Sequence, residues 1–222
     1  MNFQSYPSRD ALRAGLSATI ATELRDALTL GPATLSVPGG TTPGPVFDAL
    51  STADLDWSHV AILLNDERWV GEASPRSNTR LLHERLLVNK AAAAIWVPLY
   101  ADAPQPEDKL DELAQGIAPY LPITVLLLGM GGDMHTASLF PGADKLADAL
   151  APDAPILMAL RAAAAGEPRI TLSARVLTAS KHIHVLITGQ DKRDALNRAL
   201  TLTPMEAPIR IVLDQATVHW AE

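Results

Sequence analysis

The chain has 222 residues, a net charge of −7 and 48% hydrophobic residues, enough for a sizeable core in one large or two small domains. The acidic excess argues against nucleic acid as the main partner, because a phosphate backbone calls for a basic face; a small anion needs only a few local cations. With no cysteine, disulfides, thiolate nucleophiles and zinc–thiolate sites are excluded, which fits the cytoplasm.

The first residues, MNFQSYPSRD, lack a basic segment followed by an apolar core, so no signal peptide is expected. No apolar run approaches the ~20 residues of a membrane span. Leu12, Leu16, Ile20, Leu24 and Leu28 recur at helical spacing behind Ser8, a capping residue, and Gly31-Pro32 stops that helix. Thr34 to Val37 predicts a short strand that runs into PGGTTPGP and a helix near Pro45 to Leu50. His59 to Leu64 predicts the next strand, ending in NDERWV. A helix over Asn78 to Val88 and a short extended stretch over Ile95 to Leu99 follow.

The acidic, proline-rich ADAPQPED reads as a surface loop leading into a helix through Leu110, Leu113 and Ile117, which Pro119 and Pro122 end. Ile123 to Leu128 is the next strand, broken abruptly by Gly129, Gly131 and Gly132. The small residues after that motif are read as the opening of a helix. Pro155 to Leu160, Arg169 to Leu172, His184 to Ile187 and Ile209 to Leu213 are further predicted strands, with a helix over Gln190 to Leu200. Strands alternate with helices, and the strands are nearly continuous apolar runs. That pattern predicts an α/β fold: a mostly parallel sheet covered by helices on both faces. No repeat or long linker divides the chain, so residues 1–222 are expected to form one domain.

Four loops stand at the C-terminal ends of predicted strands: GGTTP (Gly39 to Pro43), NDER (Asn65 to Arg68), GMGGDMH (Gly129 to His135) and TGQDK (Thr188 to Lys192). In an open parallel sheet such ends converge on one crevice. GGTTP before a helix is either a plain turn or a phosphate cradle built from free N–H groups and the hydroxyls of Thr41 and Thr42. Lys192, about one turn into its helix, stands near enough to neutralise the same anion. In NDER the alternatives are a surface salt-bridge group and a site where Arg68 grips an oxyanion and Asp66 positions substrate or water. His135 is the sharpest candidate for a general base, alone among six histidines in a glycine-rich turn with an acid, Asp133, two residues away; the alternative is a histidine and an aspartate that merely cap a helix. His182 and His184 share a strand face, but two histidines without a third ligand make a weak metal site, and a strand start near solvent explains them. Ser138 lacks the G-x-S-x-G elbow of a serine hydrolase.

With these segments in view, the chain resembles the glucosamine-6-phosphate isomerase/6-phosphogluconolactonase family, and within it the short bacterial 6-phosphogluconolactonases. VPGGTTPGPVF, LLNDERWV with the later SNTRLL, LLLGMGGDMHTASLFPG, RITLSARVL and ITGQDKRDAL carry the resemblance, in order, from about Val37 to Leu196. It implies a Rossmann-like three-layer sandwich and hydrolysis of 6-phospho-D-glucono-1,5-lactone to 6-phospho-D-gluconate in the oxidative pentose phosphate pathway. His135 matches the family's general base. Gly39, Gly40, Thr41 and Thr42 match its phosphate loop, Arg68 and Lys192 match the cations expected around the phosphate, and Arg169, which opens RITLSARVL, matches a substrate- or phosphate-binding residue. Asp133 and Asp66 match polar residues near the reacting end. No cofactor and no metal are implied, since an ester opens with one base and donors for the oxyanion; the implied partner is a small sugar-phosphate lactone, not a membrane or nucleic acid. Met134 departs from the pattern, standing where the family usually has glycine. Two related readings fit less well. Glucosamine-6-phosphate deaminases carry a glutamate five residues after the histidine, and here that position is Phe140. Sugar-phosphate sensor domains carry a separate DNA-binding element, for which this chain leaves no room.

Overall fold

The computed structural model describes residues 1–222. An edge strand β1 (Asn2–Ser5) leads into the long helix α1 (Arg9–Leu28). Ser8 caps that helix, its side chain accepting from the Ala11 N–H at 3.1 Å, and the predicted stripe Leu12, Leu16, Ile20 and Leu24 is fully buried. Then come β2 (Ala33–Val37), α2 (Gly44–Ser51), β3 (Val60–Leu64), β4 (Asp66–Arg68), α3 (Asn78–Arg85), β5 (Ile95–Val97) and α4 (Leu110–Ile117). The second half holds β6 (Val125–Gly129), α5 (Leu146–Leu150), β7 (Leu157–Leu160), β8 (Arg169–Leu172) and α6 (Ala174–Thr178). It closes with β9 (His182–Thr188), α7 (Gln190–Ala199), α8 (Arg210–Leu213) and β10 (Thr217–Ala221).

Seven strands form one wholly parallel sheet in the order β1-β10-β9-β6-β2-β3-β5. From β2 the chain steps outward through β3 to β5; from β6 it steps the other way through β9 to β10. Right-handed crossovers running in opposite directions lie on opposite faces, so the sheet is covered on both sides and its buried strands need no polar alternation. The reversal falls between neighbours β2 and β6, and the crevice at such a switch point is where open parallel sheets bind ligands. Asn65, fully buried, ties three strand ends together there: its Oδ1 accepts from Ser36 Oγ at 2.6 Å and its Nδ2 donates to the Leu127 carbonyl at 2.7 Å.

Several expectations are corrected. Pro155–Leu160 and Arg169–Leu172 were expected as strands of the parallel sheet. Instead β7 and β8 join β4, read from sequence as a loop, in a separate antiparallel sheet of three strands. Apolar runs of this length look alike in either setting. Ile209–Leu213, expected as the last strand, lies in the turn and short helix α8; the last strand is Thr217–Ala221, whose histidine and tryptophan masked it. β1, short and mostly exposed, gave no apolar signal. No helix follows the glycines of the Gly129–Gly142 segment until Leu146.

Candidate active site

One cleft of about 350 Å³ opens at the switch point. Gly39, Gly40, Thr41, Thr42, Asp66, Arg68, His135, Arg169 and Lys192 all line it; four of the five segments follow parallel strands, as the strand-end rule requires, and Arg169 comes from the antiparallel β8. Asp133 is not on its wall but stands behind His135.

The His135 loop is folded back tightly on itself. The Gly131 N–H donates to the His135 carbonyl (2.9 Å), the Met134 N–H to the Gly131 carbonyl (3.0 Å), and Thr136 Oγ1 to the Gly129 carbonyl (2.9 Å). A Cβ on Gly131 would come within 2.1 Å of His135 Nδ1, so only glycine fits beneath the ring. Met134 has φ +66°, the left-handed conformation that glycine adopts freely and a side chain adopts at a cost. Met134 thus holds this turn with some backbone strain.

His135 Nδ1 lies 2.5 Å from Asp133 Oδ1, and the His135 N–H also donates to that oxygen, at 3.2 Å. The hydrogen bond from His135 holds the Asp133 carboxyl below its ordinary range. An ionised carboxylate only accepts, so Nδ1 carries a proton, and in the neutral ring Nε2 keeps its lone pair. Phe140 lies against the imidazole, ring centroids 4.2 Å apart. With no helix here, the capping alternative for Asp133 and His135 falls away.

Arg68 and Arg169 are direct cross-strand partners in β4 and β8. Arg169 is buried, its Nη2 donating to the Ala165 carbonyl (2.9 Å), its Nη1 3.9 Å from Asp66 Oδ2 and its Cζ 5.6 Å from the Phe140 ring centroid. Burial lowers its pKa from the usual guanidinium value. Arg68 donates through Nη1 to the Arg76 carbonyl at 2.5 Å. The Nε atoms of both arginines are buried without a partner, which in a native interior points to an unfilled acceptor position. Asp66 is the only carboxylate within ion-pairing reach of this pair, and Ser138 Oγ donates to it. Ser138 is fully buried, as unsuited to nucleophilic attack as its sequence context suggested. Lys192, in the first turn of α7 and also on the cleft wall, has no hydrogen-bond or ion-pair partner, and its Nζ lies 3.8 Å from where a Gly132 Cβ would sit.

Among the cleft residues that the sequence reading gave no role are Asn78 and Phe140. Asn78 begins a helix, and nothing in its local sequence separates it from an ordinary first-turn residue. Phe140 stood out only as the place where a deaminase has an acid. No three His, Asp or Glu side chains converge to form a metal-ligand group anywhere in the structure. No helix is long and apolar enough to cross a membrane.

Among curated proteins, 6-phosphogluconolactonase from Mesorhizobium japonicum is 44% identical over 99% of this chain and 95% of its own length. The Pseudomonas aeruginosa 6-phosphogluconolactonase is 40% identical over 99% and 94%. The crystal structure of a 6-phosphogluconolactonase from Shewanella baltica superposes with a TM-score of 0.97 at 36% identity, covering 100% of this chain and 98% of that one. Residues 7–220 match the family described as glucosamine-6-phosphate isomerases/6-phosphogluconolactonase, and the chain belongs to that family.

Proposed function

We propose that this cleft hydrolyses 6-phospho-D-glucono-1,5-lactone to 6-phospho-D-gluconate, the lactonase step of the oxidative pentose phosphate pathway. One observation carries the reading: a histidine whose Nδ1 is engaged by a carboxylate and whose Nε2 is free shares one cleft with a lysine that has no partner and with two arginines whose Nε atoms have none.

Lys192, with the amides of Gly39 and Gly40 and the hydroxyls of Thr41 and Thr42, holds the phosphate. Arg68 and Arg169 serve the lactone end, because Arg169 reaches Phe140, and Phe140 lies against His135. This reading separates Arg68 from Lys192, which the resemblance grouped around one phosphate. His135 Nε2 takes a proton from water. The hydroxide adds to C1 of the lactone, and the charge developing on the carbonyl oxygen faces the two guanidinium groups. Collapse breaks the C1–O5 bond, and the proton on Nε2 passes to O5. A positioned base contributes typically 10²–10⁴-fold, and a donor to the oxyanion about 10²–10³-fold. Asp66 keeps Arg169 in place, and Asp133 holds the tautomer. A cytoplasmic setting, with a small sugar phosphate rather than nucleic acid as partner, belongs to the same reading. Deamination of an amino sugar would need an acid where the Phe140 ring covers His135.

The test is to generate the phosphorylated lactone in situ with glucose-6-phosphate dehydrogenase and to follow its decay with and without the protein, with unphosphorylated gluconolactone in parallel. The phosphorylated lactone should be strongly preferred, and Lys192→Ala should lose roughly ten- to a hundredfold of that preference, the worth of a charge-assisted contact. Decay no faster than the spontaneous rate would overturn the reading.

A further inference from the structure

Glu67 lies between two cleft residues but faces away from the cleft. β4 alternates, so Asp66 and Arg68 line the cleft while Glu67 points into the start of α3. Its carboxyl is fully buried with no cation within ion-pairing distance. Burial pushes it upward, and a ring of donors opposes that push. Oε1 accepts from the N–H of Arg68 (2.7 Å) and of Asn78 (2.8 Å). Oε2 accepts from the Thr79 N–H (2.7 Å), Thr79 Oγ1 (2.9 Å) and Ser77 Oγ (3.2 Å). A helix start has several free N–H groups: Ser77 Oγ takes that of Arg80 at 3.2 Å, Glu67 takes those of Asn78 and Thr79, and its bonds to the Ser77 hydroxyl and the Arg68 N–H go beyond the helix. Glu67 therefore does more than cap: it pins three consecutive residues to β4.

The central residue of the three is Asn78. Its Nδ2 donates to the Asp66 carbonyl at 3.0 Å, which settles which end of the amide is which. Its Oδ1 packs on Gly39, where a Cβ would approach to 1.9 Å. That oxygen accepts no hydrogen bond from the protein, and it is not among the buried atoms sealed without a partner, so it opens onto the cleft that Asn78 lines. An acceptor held between the anion loop and Asp66, with no cation of its own, suits a neutral hydroxyl donor.

We infer that Asn78 Oδ1 accepts a hydroxyl of the sugar, and that Glu67 is the positioning residue that holds it there by fixing the Ser77–Thr79 backbone against β4. This rests on the lactonase reading of the cleft. Asn78 sets specificity by direct contact; Glu67 acts only through it.

The test is a double-mutant cycle on the phosphorylated lactone with Asn78→Ala, Glu67→Gln and the pair. Asn78→Ala should raise KM roughly three- to tenfold, the effect of one neutral hydrogen bond, with kcat changed less. Glu67→Gln, which turns an amide NH₂ toward backbone donors, should raise KM similarly. The double variant should cost no more than the larger single change, because both remove one interaction. If Glu67→Gln does not fold, Glu67→Asp replaces it in the cycle: it keeps the charge but sits a methylene short. A Glu67 variant that melts earlier yet keeps wild-type KM would make Glu67 purely structural, and multiplied effects would uncouple it from Asn78; either result overturns the inference. Wild-type KM in Asn78→Ala overturns it alone, whichever Glu67 variant folds. A wild-type protein without lactonase activity would instead overturn the functional reading.

Discussion

Two histidine sites in this molecule are built from the same groups and do opposite things. In the cleft, His135 spends Nδ1 on Asp133 and keeps Nε2. Behind the sheet, His184 and His219 spend everything. Tyr6 OH lies 2.9 Å from His219 Nδ1, His219 Nε2 3.0 Å from His184 Nδ1, and His184 Nε2 2.7 Å from Glu23 Oε2. With two neutral rings the protons run one way along the chain: Tyr6 donates to His219, His219 to His184, and His184 to Glu23. No ring nitrogen remains unclaimed. A histidine is available for chemistry when its neighbours leave one nitrogen unclaimed and open to a ligand; it is structural when they claim both.

The contrast breaks first at its strongest point. His135→Ala should lose roughly 10²–10⁴-fold in kcat with little change in melting temperature, since its ring is partly exposed. His184→Ala should do the reverse. It leaves His219 Nε2 without a partner and Glu23 with His182 alone, at 3.4 Å, which should cost about 1–3 kcal/mol of stability while the folded fraction keeps its turnover. Specific activity and thermal melts of both variants check this, and a His135→Ala protein as active as wild type would remove the base.

Acid separates the two sites next. Burial, with His184 adding repulsion, lowers the His219 pKa from 6.5 to about 4. The unfolded chain therefore binds a proton that the folded one refuses between those values, so this contribution is complete above about pH 6.5 and is lost as pH falls toward 4. The gap is worth on the order of 3 kcal/mol. Tyr6, Glu23 and His184 face the group. Denaturant midpoints measured from pH 7 to pH 4 should fall, and His219→Phe should flatten the slope over that window. A smaller effect probes the strained loop: Met134→Gly relieves φ +66° but adds unfolded-state freedom, so stability should rise by no more than about 1 kcal/mol with activity retained. A drop in stability would show that the Met134 side chain supports the loop.

The sequence displayed the cleft better than the fold around it. His135, Lys192, Arg68 and the GGTTP glycines announce themselves because polar and glycine residues directly after apolar strand runs have few structural uses, and the parallel-sheet pattern says that such loops converge. What stayed hidden depends on partners distant in sequence. Arg169–Leu172 was read as a strand, but its pairing with Asp66–Arg68 in a second sheet is not encoded in either segment alone. Thr217–Ala221 was overlooked because His219 and Trp220 do not look like core residues until Tyr6, His184 and the Gly189 carbonyl supply their polar atoms. Glu67 and Asn78 were unreadable for the same reason: a charged residue inside a charged cluster resembles surface until its five donors, eleven and twelve positions away among them, are in place.

The central claim is that Asp133 makes His135 a base by claiming its Nδ1. Asp133→Asn tests it most directly, because the amide keeps the shape but can donate to Nδ1 and so stabilise the tautomer with the proton on Nε2. Measured on the phosphorylated lactone at neutral pH, kcat should fall on the order of 10²-fold, with KM and melting temperature close to wild type. Wild-type kcat in Asp133→Asn would contradict the account.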